Sequence, residues 1–263
     1  MSDFDYIIMG GAGLVGNSFV KHLEKKGANV LSLTSRNFED YCKKKISTNF
    51  FINANGNSFK FKANKDPFWD FDKSVLSMLQ SLKSFKSQKY VFFSSIDVYS
   101  DTENPKNNHE EMVINSTSID YYGSNKYFAE SILKKYHEKF LIFRLGSVVS
   151  PVSKKGPLYD LSKKNLYIDQ DSYLSLIDIK NIHKAYFELE ALGISREIYN
   201  LTGTGNVSVK SIIKKYDIPV QSNSSAEFLK THNYNISNKK LSKIVPLDTS
   251  LEISNNFFNS VTL

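Results

Sequence analysis

Three polar side chains in the middle of the sequence have the types and the spacing that acid–base chemistry requires. Tyr122 and Lys126 are four residues apart, so on a helix they project from one face. A free tyrosine has a pKa of about 10 and is a poor acid or base at neutral pH, but a neighbouring lysine ammonium favours the phenolate and brings that pKa toward the working range. Ser95, which follows the apolar run 90–94, is suited to hold a carbonyl or hydroxyl oxygen by a hydrogen bond as charge develops there.

A glycine-rich turn near the start of the chain predicts a dinucleotide site. It has glycine at every third position and joins an apolar run at 4–9 to an amphipathic run at 15–26. One glycine permits the tight turn, one lets backbone N–H groups approach a pyrophosphate, and one lets the helix pack closely on the sheet. The helix N-terminus adds partial positive charge toward the phosphates. The predicted cofactor contacts here are Gly10, Gly13, Leu14, Val15 and Gly16. The alternative is a glycine-rich loop that binds no ligand.

The loop after the second predicted strand indicates which dinucleotide binds. Thr34-Ser35-Arg36 stands where an NAD site usually has an acidic residue that accepts hydrogen bonds from the ribose hydroxyls. Ser35 can donate a hydrogen bond to a 2′-phosphate, and Arg36 can add a charge-assisted one. This favours NADP(H). NAD(H) remains the alternative if Arg36 is only an exposed loop residue.

These residues lie on alternating strand and helix patterns, which are typical of a parallel sheet covered on both faces. Predicted strands lie at 4–9, 29–34, 50–53, 90–94 and 140–145, and predicted helices at 15–26, 38–45, 70–86 and 122–139. After Pro151 the loops lengthen, and the chain has a strand pattern at 174–177, a helix at 179–192, a strand at 198–201 and a helix at 208–216. We therefore predict an α/β fold with a Rossmann-type doubly wound parallel sheet. Residues 1–150 form its dinucleotide-binding domain, and 151–263 form a small, mainly substrate-binding lobe interleaved with the end of the sheet.

Composition limits the class of protein further. The 263 residues can bury a sizeable core, and no segment approaches the roughly 20 apolar residues that span a membrane. Met1 leads directly into an apolar strand without the features of a secretory signal. Cys42 is the only cysteine, so an internal disulfide is excluded. We expect a cytoplasmic protein with no membrane partner.

Charge and histidine spacing make two further partners unexpected. The net charge of +7 comes mostly from lysines dispersed along the whole chain, and no nucleic-acid recognition motif accompanies it. The five histidines share no metal-ligand spacing with one another or with Cys42. We therefore expect neither nucleic-acid binding nor a metal site.

In this order along the chain, the glycine turn, Ser95, Tyr122 and Lys126 resemble the extended short-chain dehydrogenases/reductases of the NAD-dependent epimerase/dehydratase family, which act on nucleotide sugars. Flanking segments at 98–99, 127–130 and 144–146 match as well, and weaker similarity continues through 177–178 and 199–201. The resemblance implies that Ser95, Tyr122 and Lys126 are catalytic and that Lys126 also binds the nicotinamide ribose.

The resemblance also implies further contacts. Asn53, Ala54 and Asn55 border the cofactor, together with Tyr122 and Lys126. Ser95, Ile96, Asp97 and Tyr122 contact the nucleotide-sugar substrate. Weaker candidates are Ser116–Ser118, Lys154, Lys155 and Tyr159, for which a polar loop or solvated lysines are an equal alternative. A homodimer is expected from resemblance alone.

Two departures from the family pattern bear on the reaction. The segment between Arg36 and Phe50 is too short for a helix, a strand and a second helix, so one edge strand is expected to be missing or vestigial and the adenine side more open. Related dehydratases carry an Asp-Glu pair after the catalytic Ser or Thr, and this pair is the acid and base of water elimination. This chain has Ile96 and Asp97 at these positions. Isoleucine cannot donate a proton, so a dehydratase is not expected.

The resulting prediction is an NADPH-dependent reductase. It reduces a keto group, at C4 by expectation, of a nucleotide-linked deoxysugar in surface-polysaccharide sugar biosynthesis. Arg36 and the open adenine side favour an enzyme that exchanges its cofactor. The first alternative is a nucleotide-sugar 4-epimerase with tightly bound NAD, and the second is a non-catalytic NADP-binding sensor or interaction protein.

Overall fold

The structure is a computed structural model that describes residues 2–57, 60–222 and 230–261. The chain divides into two compact units. The first comprises Met1–Ser100, Val113–Arg144 and Gly193–Tyr199, and the second comprises Asp101–Met112, Leu145–Leu192 and Asn200–Leu263. Within the described residues, no helix has both the length and the apolar character needed to cross a membrane.

Strands and short helices alternate along both units. The strands are β1 (Phe4–Met9), β2 (Val30–Leu33), β3 (Ile46–Asn53), β4 (Phe85–Ser95), β5 (Phe140–Leu145), β6 (Ser147–Val149), β7 (Asn165–Leu166), β8 (Tyr173–Leu174), β9 (Leu176–Asp178), β10 (Glu197–Leu201), β11 (Val207–Ser208) and β12 (Gln221–Ser222). The α-helices are α1 (Leu14–Lys25), α2 (Phe38–Cys42), α3 (Lys60–Lys65), α4 (Pro67–Phe71), α5 (Ser77–Ser84), α6 (Tyr121–Tyr136), α7 (Pro157–Ser162), α8 (Ile179–Ala191), α9 (Val209–Lys215), α10 (Lys239–Ser242) and α11 (Ser250–Ser260). A π-helical segment, Asp72–Leu76, joins α4 to α5, and short 3-10 helices lie at Ile96–Val98 and Ser116–Ser118.

A six-stranded parallel sheet in the order β10-β5-β4-β3-β1-β2 forms the centre of the fold. Ile7 of β1 lies between Leu31 of β2 and Phe51 of β3, and all three side chains are buried. The inner strands are apolar on both faces because helices cover both sides of the sheet. The predicted Rossmann-type α/β fold is confirmed.

Strand β2 is the last strand at one edge of this sheet among the described residues. The short connection after Arg36 forms only the five-residue helix α2 before the chain enters β3. This arrangement fits the missing edge strand that the sequence predicts. Because all strands are parallel, the segments that follow β1, β2, β3 and β4 all begin at the carboxyl ends of the strands. Proteins of the α/β class build their ligand sites at these ends.

The helix predicted at 70–86 has different bounds and a different shape. It begins with Pro67 after Asp66, whose carboxylate accepts a hydrogen bond from the Trp69 amide, and it passes through the π-helical segment to end at Ser84. Proline in the first turn and an acidic N-cap are ordinary start signals that the hydrophobic spacing alone did not reveal. Strand β4 begins at Phe85, five residues earlier than predicted.

The second unit has its own core and contains a helix that the sequence pattern did not predict. Helix α11 buries Ile253, Phe257 and Phe258 in that core. It begins with a capping box in which Thr249 and Glu252 bond each other's backbone N–H groups. The strand predicted at 174–177 is two short strands, β8 and β9, which pair with β11 and β6 respectively.

Candidate active site

The glycine turn after β1 forms a close-packed cradle at the start of α1. Gly10 has a φ of +81°, and a Cβ there would lie 2.7 Å from the carbonyl carbon of Ala54. A Cβ at Gly16 would overlap the Gly10 carbonyl group. Gly13 is the N-cap of α1 and has no side chain to cap it, so the first N–H groups of the helix are open to an anion. The turn therefore fits a dinucleotide pyrophosphate.

The loop that carries Ser35 and Arg36 lies beside this turn. The N–H groups of Gly10 and Gly11 both donate to the Leu33 carbonyl oxygen, at 2.9 and 3.0 Å. Asn37 closes the loop, since its side-chain oxygen accepts from the Thr34 N–H at 2.7 Å. Ser35 and Arg36 remain exposed at its tip. Asn37 is a shaping residue that the sequence analysis did not single out, although asparagine is a common loop-closing and capping residue.

The loop after β3 meets the turn through its backbone rather than its side chains. The Ala54 N–H donates to the Met9 carbonyl oxygen at 2.9 Å. The buried Asn53 amide donates to the Tyr90 hydroxyl at 3.0 Å, and the Asn55 amide donates to the Lys73 carbonyl oxygen at 3.0 Å. Both asparagine side chains thus shape the loop, and their contact with the cofactor stays a prediction.

Helix α6 carries Tyr122 and Lys126 on one face, as their spacing predicts. Asp120 caps the helix by accepting from the Gly123 N–H at 2.9 Å. A Cβ at Gly123 would overlap the Asp97 carbonyl oxygen, so this glycine lets the start of α6 lie directly against the segment after β4. The close approach brings Ser95 and Tyr122 together, and Ser95 favours the Tyr122 phenolate when it donates its proton to that oxygen rather than to Asp97.

Lys126 is a buried lysine placed between Tyr122 and the loop after β3. Its side chain is 5% exposed, and its Nζ donates to the Phe93 carbonyl oxygen at 3.4 Å and lies 6.0 Å from the centre of the Tyr122 ring. Gly56 has φ +142°, and a Cβ there would lie 2.6 Å from Nζ, so the lysine fits against a glycine. Burial lowers the pKa of Lys126 to about 8, although Asp70 and Glu130 oppose this shift.

Asp97 and Lys60 extend the site beyond the three predicted catalytic residues. The Ser95 hydroxyl donates to one Asp97 carboxylate oxygen at 3.0 Å, and Lys60 Nζ lies 2.6 Å from the other and 3.1 Å from Asp120. Burial and the negative charge of Asp97 raise the pKa of Tyr122 above its usual range, against the effect of Ser95. Burial lowers the pKa of Lys60, but its two carboxylate partners outweigh burial and raise it overall.

The other residues predicted near the substrate have contacts of their own. Ile96 is buried, so its side chain belongs to the core. The Ser116 carbonyl oxygen accepts from the Ser124 hydroxyl at 2.7 Å, which ties the 3-10 helix at Ser116–Ser118 to α6. In the second unit, Lys155 and Tyr159 line a cleft with Val149 and Phe257, while Lys154 is exposed.

A buried ion pair supports the helix that carries Tyr122 and Lys126. Arg144 at the end of β5 donates to both carboxylate oxygens of Glu130, at 3.0 and 2.7 Å, and to the Tyr99 hydroxyl at 2.7 Å. The Ser94 hydroxyl donates to Glu130 at 2.6 Å. This network joins the ends of β4 and β5 to α6, one turn beyond Lys126. Within the described residues, no group of three or more His, Cys, Asp or Glu side chains is arranged to hold a metal.

Comparison with known proteins identifies the family. The sequence model of the NAD dependent epimerase/dehydratase family matches residues 6–164. No curated protein sequence shows a significant match to the chain. Among solved structures, the chain is similar to UDP-glucuronic acid 4-epimerase from Bacillus cereus in complex with UDP-glucuronic acid and NAD (TM-score 0.76, 16% identity, 96% of each chain covered). It is also similar to RMD from Pseudomonas aeruginosa complexed with NADPH (TM-score 0.74, 16% identity, 96% of each chain).

A third similar structure is UDP-glucose 4-epimerase from Thermotoga maritima with UDP-glucose (TM-score 0.73, 14% identity, 97% of this chain and 98% of that chain). At these identities the structures show the common fold, while the sequence match covers more than half of the chain. The chain therefore belongs to the NAD-dependent epimerase/dehydratase family, as the glycine turn and the Tyr122–Lys126 pair predict, and it is an NAD(P)-dependent enzyme of the extended short-chain dehydrogenase/reductase type.

Proposed function

We propose that this protein is an NADPH-dependent reductase of a keto group, at C4, on a nucleotide-linked deoxysugar. The observation that carries the proposal is the convergence of Ser95, Tyr122 and Lys126 beside the glycine cradle. Matched structures were solved with UDP-glucose or UDP-glucuronic acid, which supports a nucleotide sugar as substrate.

Each residue of the group has a distinct part in this chemistry. The dinucleotide supplies the hydride when bound. Ser95 holds the carbonyl oxygen by a hydrogen bond, and Tyr122 donates its proton to the alkoxide that forms there. Lys126 binds the nicotinamide ribose and favours the Tyr122 phenolate after the proton has left. To reach the substrate, the Ser95 hydroxyl turns away from Asp97, to which it donates at 3.0 Å in this structure.

The choice of reductase over epimerase depends on the adenine side of the cradle. An epimerase regenerates its cofactor in every turnover and benefits from tight NAD binding, whereas a reductase must exchange NADPH. The exposed Ser35–Arg36 tip lacks the acidic residue of an NAD site and suits a 2′-phosphate. Beyond β2 the described residues add no further strand, which leaves this side open.

The second candidate is a nucleotide-sugar 4-epimerase with resident NAD, since two of the three structures described above are 4-epimerases and one of these two contains NAD. The non-catalytic NADP-binding sensor or interaction protein, the other alternative from the sequence, does not agree with membership of this enzyme family or with the presence of Ser95, Tyr122 and Lys126. A purified protein that keeps NAD bound would favour the epimerase.

Fluorescence titration with NADPH and NADH tests the cofactor preference directly. We expect tighter binding of NADPH, and we expect Arg36→Ala to weaken NADPH binding by about 10- to 100-fold, the range of a hydrogen bond to a charged group, while NADH binding stays unchanged. Lys25→Ala, which removes one exposed charge at the far end of α1, is the matched control and should bind NADPH like the wild type. A wild-type preference for NADH would contradict the role of Arg36 and place the epimerase first.

A second prediction concerns the charge of Asp97. Because that negative charge raises the pKa of Tyr122, Asp97→Asn should lower it, so the phenolate forms at lower pH. Lys60→Met removes the cation beside Asp97 and should raise the pKa of Tyr122, because the charge of Asp97 is then no longer balanced. The measurement is the phenolate absorbance of each variant minus that of the same variant carrying Tyr122→Phe. Reduction needs the protonated tyrosine, so activity falls when the pH is raised. In Asp97→Asn this fall should begin at a lower pH than in the wild type. Shifts in the same direction in both variants would contradict this account.

A further inference from the structure

An open cleft in the second unit is lined by polar and aromatic side chains that the proposed reaction does not use. About 380 Å³ of space lies between Glu103, Tyr173, Asn206, Asn233 and Asn235, all of which belong to the second unit. We call this space the asparagine cleft. Clefts that combine an aromatic side chain with a few convergent polar groups are where proteins bind small molecules, so this cleft is a candidate for a ligand of its own.

The segment that carries Asn233 and Asn235 forms one wall of the asparagine cleft and is held by backbone hydrogen bonds on both sides. On one side, the Tyr234 N–H donates to the carbonyl oxygen of Tyr173 in β8 at 3.0 Å. On the other side, the Asn235 N–H donates to the Thr102 carbonyl oxygen at 2.7 Å. Alternate side chains of an extended segment point the same way, so the two asparagines share the side that lines the cleft.

A buried asparagine behind this wall fixes it in place. Asn108 is 0% exposed. Its Nδ2 donates to the carbonyl oxygens of Asp101 and Asn235, at 3.3 and 3.1 Å, and its Oδ1 accepts from the Ser237 N–H at 2.8 Å. A buried amide with paired donors and a paired acceptor holds the backbone around it rigidly. The segments that carry Glu103 and Asn235 are therefore joined into one preformed cleft.

The side chains of the asparagine cleft offer hydrogen-bond donors and acceptors but little charge. The Asn233 amide donates to one Glu103 carboxylate oxygen at 3.0 Å, and the Asn206 amide donates to the Tyr234 carbonyl oxygen at 3.1 Å. In the part of the chain that the structure describes, the Asn235 side chain has no hydrogen-bond partner. Glu103 is the one charged residue among the described lining residues, so no cation is there to hold a phosphate or a carboxylate. The ligand that fits is neutral and carries several hydroxyl groups.

We propose that the asparagine cleft binds a hexose unit of a neutral sugar. A sugar hydroxyl both donates and accepts, as a primary amide does, so the Asn235 side chain can engage two neighbouring hydroxyls. Tyr173 is 45% exposed and offers a ring face to the C–H groups of the sugar. The Glu103 carboxylate oxygen that Asn233 does not engage accepts from a further hydroxyl. This site is independent of the proposed function, since it requires neither a dinucleotide nor Tyr122.

The test is an NMR titration of the ¹⁵N-labelled protein with the methyl glycosides of glucose, galactose, mannose and rhamnose. The Asn235 side-chain amide signal, assigned by its loss in Asn235→Asp, should shift with at least one of them. We expect a Kd on the order of 1 mM, which suits a ligand of this size. Inorganic phosphate, the anionic probe, should leave this signal unchanged.

Two variants of the cleft and one control locate the bound sugar, with binding measured by saturation transfer from the protein to the sugar protons. Tyr173→Ala removes the ring and Asn235→Asp removes the amide donor, and each should raise the Kd on the order of tenfold. Tyr167→Ala removes a ring that is 57% exposed elsewhere in the second unit and should bind like the wild type.

Two outcomes would overturn the proposal. One is an Asn235 signal that none of the four glycosides shifts at about 50 mM, far above the expected Kd. The other is wild-type affinity in folded Asn235→Asp and Tyr173→Ala, which would place the sugar elsewhere. If Tyr173→Ala does not fold, Asn235→Asp decides the question, because this side chain bonds no other described residue.

Discussion

Replacing Tyr122 by phenylalanine is expected to lower kcat for keto-sugar reduction by about 10²–10⁴-fold, which is the contribution of a positioned acid–base group. The substitution removes one hydroxyl and keeps the ring that lies 6.0 Å from Lys126 Nζ. The glycine cradle and the loop at Arg36 are unaffected, so NADPH should bind with nearly unchanged affinity. The measurement is the initial rate of NADPH consumption at saturating cofactor with the most active keto-sugar nucleotide found by screening.

The neighbouring residue provides a matched control for this experiment. Tyr121 is the preceding residue of α6 and is 59% exposed. Tyr121→Phe removes the same hydroxyl from the same turn of helix and should retain full activity. Equal activity of Tyr122→Phe and the wild type would show that another group donates the proton, and the roles assigned to Ser95 and Lys126 would fall with it.

The sequence predicted those parts of the fold whose signal is local. Strands β1 and β5 have the predicted bounds because each is a mostly apolar run that ends at a glycine; β5 is buried along its whole length and β1 in its second half. Helix α1 follows from an amphipathic pattern placed after the glycine turn. Tyr122 and Lys126 share a helix face because their spacing of four residues is close to one helical turn.

The interactions that the sequence did not predict depend on contacts between distant segments. Lys60 pairs with Asp97 and Asp120, which lie 37 and 60 positions further along the chain. The periodic pattern of apolar residues does not indicate which distant polar residues come into contact. The same holds for Asp70 and Asn125, which are 55 residues apart. The start of α11 had a local signal in Thr249 and Glu252, but its few apolar residues gave too weak a periodic pattern.

Arg144→Met is expected to lower the free energy of unfolding of the first unit by about 3–5 kcal/mol, the cost of leaving one charge of a buried ion pair without its partner. Glu130 is 0% exposed and Arg144 is 1% exposed. Two charge-assisted hydrogen bonds join them, and Tyr99 and Ser94 complete the network. Urea unfolding monitored by the fluorescence of Trp69 measures the effect. Trp69 is the only tryptophan in the sequence, and it lies in the first unit.

Two further variants show whether the loss of stability in Arg144→Met comes from the unpaired buried charge of Glu130 or from lost side-chain packing. Arg144→Met/Glu130→Leu removes both charges and should be more stable than Arg144→Met alone, because no carboxylate is then buried without its cation. Asp40→Asn breaks the exposed ion pair with Lys43, whose partners are 74% and 75% exposed, and surface pairs contribute at most about 1 kcal/mol. If Arg144→Met were no more destabilising than Asp40→Asn, the network beneath Lys126 would not hold α6 to the sheet. The placement of Tyr122 and Lys126 would then depend on the contact of Gly123 with Asp97 and on the Asp120 cap.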